Sequence, residues 1–266
     1  MFDEDFEVFV ADTDDSRRLH HRIRYVVYCL ETGYEDPESF PDGEERDEWD
    51  PQSVHFLVRH RRRGDWVAAM RLILPCQVLP PMAQFCRFET EALRSIDLSA
   101  AAEISRLSIV AQYRRRASDQ IYPYEISGSA LRERRCRVIE TAVEGQRREE
   151  RRDGPVILMG LIRAAVAVST ERSIRQWLFL INPALARVLK HLKVNLQRVG
   201  PALDHRGTRI PYLSDVGRLQ QLGRDRDGPI GMLMAKGRAY RLFSEAFECA
   251  PLRSDEGKDA TGSDPN

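Results

Sequence analysis

Two apolar segments of this chain carry full charges, and this limits what the chain can fold into more than any other feature. "WVAAMRLILP" (66–75) contains Arg71, and "AAEISRLSIV" (101–110) contains Glu103 and Arg106. The second alternates small or apolar side chains with polar ones, the period of a β-strand, and the first is an otherwise apolar run that reads as a hairpin strand. An unpaired charge inside a sheet costs several kcal/mol, so the fold must bring these groups to partners. In a regular strand residues three apart point to opposite faces. Glu103 and Arg106 therefore share a face only where the strand bulges.

The candidate partners lie upstream. "DDSRRLHHRIRYVVYCLETGY" (14–34) reads as a helix capped by Asp14 or Asp15. Leu19, Ile23, Val26, Val27 and Leu30 form its apolar stripe, and Gly33 stops it. Arg24 and Tyr28, four apart, share one face of that helix, and Tyr34 follows its end. The acidic loop "EDPESFPDGEERDEWDPQS" supplies Asp47 and Asp50. Arg24, Arg71 and Arg106 with Asp47 and Asp50 are the charge network this pattern predicts.

"FEVFVAD" reads as a first strand. "VHFLVRH" and "WVAAMRLILP" flank the turn signal "RRRGD" as a hairpin. A short helix is predicted near Phe88–Ser95, after the proline-rich "CQVLPPM". Beyond Val110 the pattern breaks: residues 111–152 hold 11 arginines and 7 acids and read as an insertion, with a helix from about Ser129 to Arg148. Gly154-Pro155 opens an apolar helix. A strand "RQWLFLI", a helix starting at Asn182-Pro183, a strand "RGTRIPYLSDV" and a final helix "GMLMAKGRAYRLFSEAF" follow. The prediction is an α/β (α+β) domain over 1–252, with a mixed central sheet, helices on both faces and a disordered tail at 253–266.

The net charge is zero but unevenly spread, since residues 1–50 hold 17 acids against 5 basic side chains. Basic runs without interleaved aromatics argue against nucleic-acid binding. The five cysteines show no paired spacing, the pattern of reduced thiols in a cytoplasmic protein. The start lacks a signal-peptide pattern, and the longest apolar stretch, 14 residues with Arg163 inside it, is too short and too charged for stable membrane insertion. The six histidines are scattered, so no metal site is predicted, and no G-x-S-x-G string supports a serine hydrolase.

With these residues in place, the chain resembles the GNAT-type N-acyltransferases of the autoinducer (acyl-homoserine-lactone) synthase and N-acyl amino acid synthase superfamily. The resemblance rests on Arg24, Tyr28, Tyr34, Asp47, Asp50, Arg71, Glu103 and Arg106 in order, and on "EISRLSIV" against the family run E-[IV]-S-R-[FL]. It covers residues 5–110 well and the remainder only by element order. "YRRR" after the fourth strand is similar to the branch associated with PEP-CTERM/exosortase systems.

The resemblance implies acyl transfer from an acyl carrier protein or CoA thioester to a small amine, with no tightly bound cofactor. It makes Glu103 the general base, with Arg106 beside it, and Arg24, Tyr28, Tyr34, Asp47, Asp50 and Arg71 the residues shaping the acceptor site. It assigns donor binding to the main chain of Leu107, Ser108, Ile109 and Val110 at a splay in the sheet, and to Arg114, Arg115 and Arg116. Tyr28 and Tyr34 stand where autoinducer synthases usually carry phenylalanine and tryptophan. That departure and the 111–152 insertion favour an acyl-amino-acid product over a lactone made from S-adenosylmethionine. A non-catalytic binding module of the same fold is the remaining alternative. No R/Q-x-x-G-x-G/A pyrophosphate loop follows Val110, which favours carrier-protein delivery over free acyl-CoA.

Overall fold

The computed structural model describes residues 2–75, 80–89, 94–114 and 153–247. Arg115 and Arg116, nearly all of the 111–152 segment with its expected helix, the 253–266 tail, Cys76, Cys136 and Cys249 lie outside the described residues.

One mixed sheet organises these residues, in the order β6-β8-β5-β4-β3-β2-β1-β9, with β7 paired to β8. The first four strands, β1 (Phe6–Val10), β2 (Ser53–His60), β3 (Trp66–Ile73) and β4 (Ala101–Ile109), run antiparallel to their neighbours. The expected hairpin at "RRRGD" is there, with Gly64 at φ 78° in its turn. β4 then pairs in parallel with β5 (Gln176–Ile181), and β5 pairs antiparallel with β8 (Thr208–Asp215). The short β6 (Gln197–Arg198) and β7 (Leu203–Asp204) flank β8, and β9 (Arg241–Leu242) joins the edge of β1.

Helices cover both faces. On one side α1 (Phe2–Asp5) and the long helix introduced below as α5 pack on the main core. On the other, α2 (Asp14–Tyr25) lies across β2 and β3. It opens with a capping box in which Thr13 accepts from the Ser16 amide and Ser16 answers the Thr13 amide. Its last turn widens into a π-helical stretch, Val26–Glu31, a local insertion that often marks a functional position. A short helix not foreseen from the sequence, α3 (Pro81–Phe85), follows Pro80, with Pro81 in its first turn. Of the helix expected near Phe88–Ser95, Arg94 and Ser95 are helical and residues 90–93 lie outside the described residues. A single turn, α4 (Ala111–Arg114), follows β4.

α5 (Gly154–Glu171) is longer than the 14-residue apolar stretch and passes the length and composition test for a membrane span, but 67% of it is buried within the fold. Arg163 within it bonds Asp3 of α1 (Nη2–Oδ1, 2.6 Å), and its guanidinium lies over the Phe2 ring. Trp177 of β5, fully buried, donates to Ser169 Oγ of α5 at 2.9 Å. α6 (Pro183–His191) starts as expected, with Asn182 capping the Leu185 amide.

The C-terminal region differs from expectation. Instead of one final helix there are α7 (Val216–Asp225), α8 (Gly228–Met234), β9 and α9 (Phe243–Phe247). Asp215 caps α7, Arg226 ends it at φ 52°, and the chain breaks again around Gly237 before Phe243 and Phe247 pack on Phe9 and Trp66. Gly217 and Gly223 weaken the helical signal of α7 in the sequence.

The α1–α5 contact depends on Gly160, where a Cβ would meet the Phe2 ring at 2.1 Å. Gly160→Ala is expected to destabilise by about 1–3 kcal/mol, and by far less in a Phe2→Ala background. Denaturant unfolding of the four proteins measures this coupling, and equal costs in both backgrounds would disprove it.

Candidate active site

β4 contains the feature on which the site is built. Ala69 pairs with Ser108 but Arg71 pairs with Ser105, so β4 holds one extra residue opposite β3. Arg106 occupies this bulge at φ 52°, a left-handed conformation that costs a non-glycine residue roughly 1–2 kcal/mol. The bulge turns Arg106 to the face that also carries Glu103, Ser105 and Arg71. That answers how two charges three apart come to share one side of a strand.

The charge network is present and larger than the sequence pattern indicated. Arg24, fully buried, bonds Glu45 and Asp50. Arg71 reaches Asp50 at 2.8 Å, bonds Asp47, and donates to Ser105 Oγ at 3.2 Å. Arg106 bonds Glu45 at 3.1 Å and Asp47 at 3.0 Å. Burial works against ionisation of Asp50, but Arg24 and Arg71 outweigh it and hold its carboxyl far below the usual range. Glu45 and Asp47 are lowered in the same way, burial opposing and arginines prevailing.

Glu45 was not singled out from the sequence. It lies in an acidic run where nothing local distinguishes the buried member. Charge balance was the available signal, since three arginines, two of them fully buried, need a third carboxylate beside Asp47 and Asp50.

Glu103 stands outside these ion pairs. Its Oε2 accepts from the Met82 amide of α3 at 2.8 Å, and the residue is 4% exposed. Burial pushes its carboxyl up to about 7, against the opposing pull of the Met82 amide, Arg71 and Arg106. A carboxyl titrating there accepts a proton readily near neutral pH.

A cavity of about 420 Å³ passes between the strands beside it. β4 and β5 pair only from Ala101–Ile104 to Gln176–Phe179, and past this point they separate. Leu107 lines the opening from β4, Leu180 and Ile181 from β5. At the mouth the walls are polar: Tyr28, Tyr34, Asp47, Arg71, Glu103 and Arg106. Tyr28 lies under the Arg106 guanidinium (5.4 Å) and edge-on to Tyr34 (6.0 Å). Deeper, Leu158 and Ile162 of α5, Phe179 of β5, and Leu185 and Leu189 of α6 make the lining apolar.

Of the residues expected at the site, Arg24, Tyr28, Tyr34, Asp47, Asp50, Arg71, Glu103, Arg106 and Leu107 come together here. Arg114 also lines the cavity and pairs with Glu31 of the π-helical stretch at 2.6 Å. Ser108, Ile109 and Val110 are not among the residues lining the cavity. Ser108 and Ile109 pair with Ala69 and Ala68, and the Val110 amide donates to Val67 O at 3.0 Å, so that amide is not free for a donor.

Three further residues at the mouth escaped the sequence reading. Arg206 bonds Glu35, Arg209 lies over the Tyr34 ring at 5.6 Å, and His205 packs on Phe85 at 4.7 Å. His205 and Arg206 come from the β7–β8 turn and Arg209 from the start of β8, far away in sequence. The expectation of scattered histidines also fails. Packing of α2 across β2 brings His20, His21 and His55 together, their ligand atoms all within 4.8 Å of one another.

A bulged and splayed mixed sheet with a buried carboxylate beside the splay is the GNAT arrangement, and residues 23–122 match the family described as Acetyltransferase (GNAT) domain. The fold is GNAT-like, and with the matched domain it marks the protein as an acyltransferase. Among solved structures, the chain is similar to the CoA-dependent acyl-homoserine lactone synthase BjaI with SAM and isopentyl-CoA (16% identity, 90% of this chain and 92% of that one covered, TM-score 0.53). It is also similar to FeeM, an N-acyl amino acid synthase from uncultured soil microbes (12% identity, 86% and 98% covered, TM-score 0.52). A third similar structure is TofI in a ternary complex with an inhibitor and MTA (18%, 79% and 91%, TM-score 0.52). At such identities the likeness is one of fold. No curated protein matches the sequence significantly.

Two outcomes follow from the site's electrostatics. Glu103 titrates near 7 when folded against an ordinary 4.5, so its protonated form favours the folded state. That contribution is full below the lower value and lost as pH rises through the upper one. Glu103→Gln, which keeps the acceptor for Met82, should gain stability relative to the parent by roughly 3 kcal/mol between pH 4.5 and pH 8. Chemical denaturation at the two pH values reads it, and a pH-independent difference would contradict the buried-carboxyl assignment. Arg24→Met strands Glu45 and Asp50 and should cost about 3–5 kcal/mol at pH 7. A change below 1 kcal/mol, roughly the worth of an exposed ion pair, would contradict the buried network.

Proposed function

We propose that this protein is an N-acyltransferase that moves a fatty acyl group from a thioester to the amino group of an amino acid or a similar small amine. One observation carries this reading. The buried Glu103 carboxyl, free of ion pairs among the described residues, stands where the polar mouth of the cavity meets its apolar depth.

The acyl chain lies among Leu158, Ile162, Phe179, Leu185 and Leu189, and its thioester carbonyl sits at the splay between Leu107 and Ile181. The acceptor enters as an ammonium from the mouth. Glu103 takes one proton from it, and the freed amine attacks the thioester carbonyl carbon. As the C–N bond forms the C–S bond breaks. The second nitrogen proton goes to the departing thiolate, so the products are an amide and a free thiol. Arg209 has no carboxylate partner among the described residues and is placed to receive the acceptor's carboxylate.

The donor in this proposal is an acyl carrier protein or CoA thioester, and the setting is the cytoplasm, within the PEP-CTERM/exosortase-associated branch. The BjaI and TofI structures carry SAM or MTA, which makes the lactone synthase the competing reading.

Incubating the protein with long-chain acyl thioesters and a panel of amino acids, with products identified by mass spectrometry, tests the proposal. An N-acyl amino acid is expected, with a rate that climbs as pH rises through about 7 and falls about 10²–10⁴-fold in Glu103→Gln. Methylthioadenosine release with S-adenosylmethionine would replace the amino-acid reading by the lactone one. Full activity of Glu103→Gln would remove Glu103 as the base.

A further inference from the structure

Beneath the arginine network lies a histidine cluster that acyl transfer does not use. His20 is fully buried, His55 is 2% exposed and His21 9%. The rings of His20 and His55 meet at 4.5 Å, and that of His21 lies 5.7 Å from His55 and 5.8 Å from His20.

Hydrogen bonding fixes what each ring presents. His20 Nε2 faces Met70 O at 3.2 Å, and His55 Nε2 faces Asp50 O at 3.1 Å. A carbonyl only accepts, so each Nε2 carries the hydrogen and each Nδ1 is left as a bare lone pair. Both Nδ1 atoms are buried with no hydrogen-bond partner among the described residues. His21 Nε2 is likewise buried and without a hydrogen bond, and it lies 3.7 Å from Asp50 Oδ2. Converging lone pairs inside a protein repel one another and lose their hydration, unless an electrophile sits between them.

A backbone carbonyl holding the far nitrogen of an imidazole is also the support that metal-binding histidines usually have. Ligands of one tetrahedral ion with bonds of about 2.1 Å stand roughly 3.4 Å apart. The Asp50–His21 separation, 3.7 Å, is already close to this, and the ligand atoms of the three histidines lie within 4.8 Å of one another.

We propose that His20 Nδ1, His55 Nδ1, His21 Nε2 and Asp50 Oδ2 bind a divalent ion of the zinc class. Three imidazoles and one carboxylate favour zinc, cobalt or nickel over calcium or magnesium, which prefer all-oxygen sites. Four protein ligands close the coordination shell, so the role is structural. The ion ties α2 to β2 and fixes Asp50, the carboxylate shared by Arg24 and Arg71. The proposal does not depend on the acyl-transfer reading.

Elemental analysis of the full-length protein and competition titration of Zn²⁺ against a chromophoric chelator test it. Close to one ion per chain is expected, with a Tm that rises on adding Zn²⁺ and falls on chelation. His21→Gln, at the cluster's edge, and His55→Gln should each weaken Zn²⁺ binding by roughly 100-fold. His191→Gln, exposed at the end of α6, should leave binding unchanged. Should His55→Gln fail to fold, His21→Gln still decides the matter. A protein that lacks the ion and binds Zn²⁺ no more tightly than His21→Gln would overturn the proposal.

Discussion

Three guanidiniums and three carboxylates share one buried space between α2, the loop over residues 44–50, β3 and β4, and everything functional in this protein is arranged around that neutral block. Arg24 comes from a helix, Glu45, Asp47 and Asp50 from a loop, Arg71 and Arg106 from neighbouring strands. Arg24, Arg71, Glu45 and Asp50 cannot leave without stranding an opposite charge away from water, while Asp47 and Arg106 sit at the partly exposed edge of the block. The block therefore acts as a clasp, holding an otherwise irregular acidic loop against the sheet. Arg71 and Arg106, engaged by Glu45, Asp47 and Asp50, still pull on the Glu103 carboxyl, but its burial outweighs them and it keeps its proton to near neutrality. Burial without an ion pair of its own is what makes this carboxyl basic.

Strain appears where it has a use. The left-handed Arg106 and the extra residue in β4 let one short strand present Glu103, Ser105 and Arg106 to the same side. Early separation of β4 from β5 then converts the middle of a sheet, normally its most closed part, into an opening. A regular strand would place Arg106 among the apolar side chains packed against α5.

Much of this was legible from the residues. Charges inside apolar strands had to find partners, and Arg24, Asp47, Asp50, Arg71 and Arg106 do meet. The hairpin, β4, α5, β5, α6 and β8 follow the periodicity and capping signals that announced them. Properties set by tertiary packing were not visible. Glu45 is chemically like the other acids of its loop until the loop folds over Arg24. His20 and His21 meet His55 only because α2 crosses β2, and no spacing along the chain encodes that crossing. Near the C-terminus Gly217 and Gly223 hid α7, while an apolar run that looked continuous breaks at Gly237. The main chain of 107–110 was expected to serve a donor at the splay, but the Val110 amide is taken by Val67 O of β3.

The passage through the sheet divides the protein's labour between two lengths of chain. The head chemistry belongs to α2, the acidic loop, β3 and β4, whereas the greasy depth belongs to α5, β5 and α6, more than forty positions further along. Trimming or enlarging Leu158 or Leu189 would reshape the apolar depth without disturbing the charges at its mouth. Such a scaffold can drift in the shape of its cavity while the charged block stays the same.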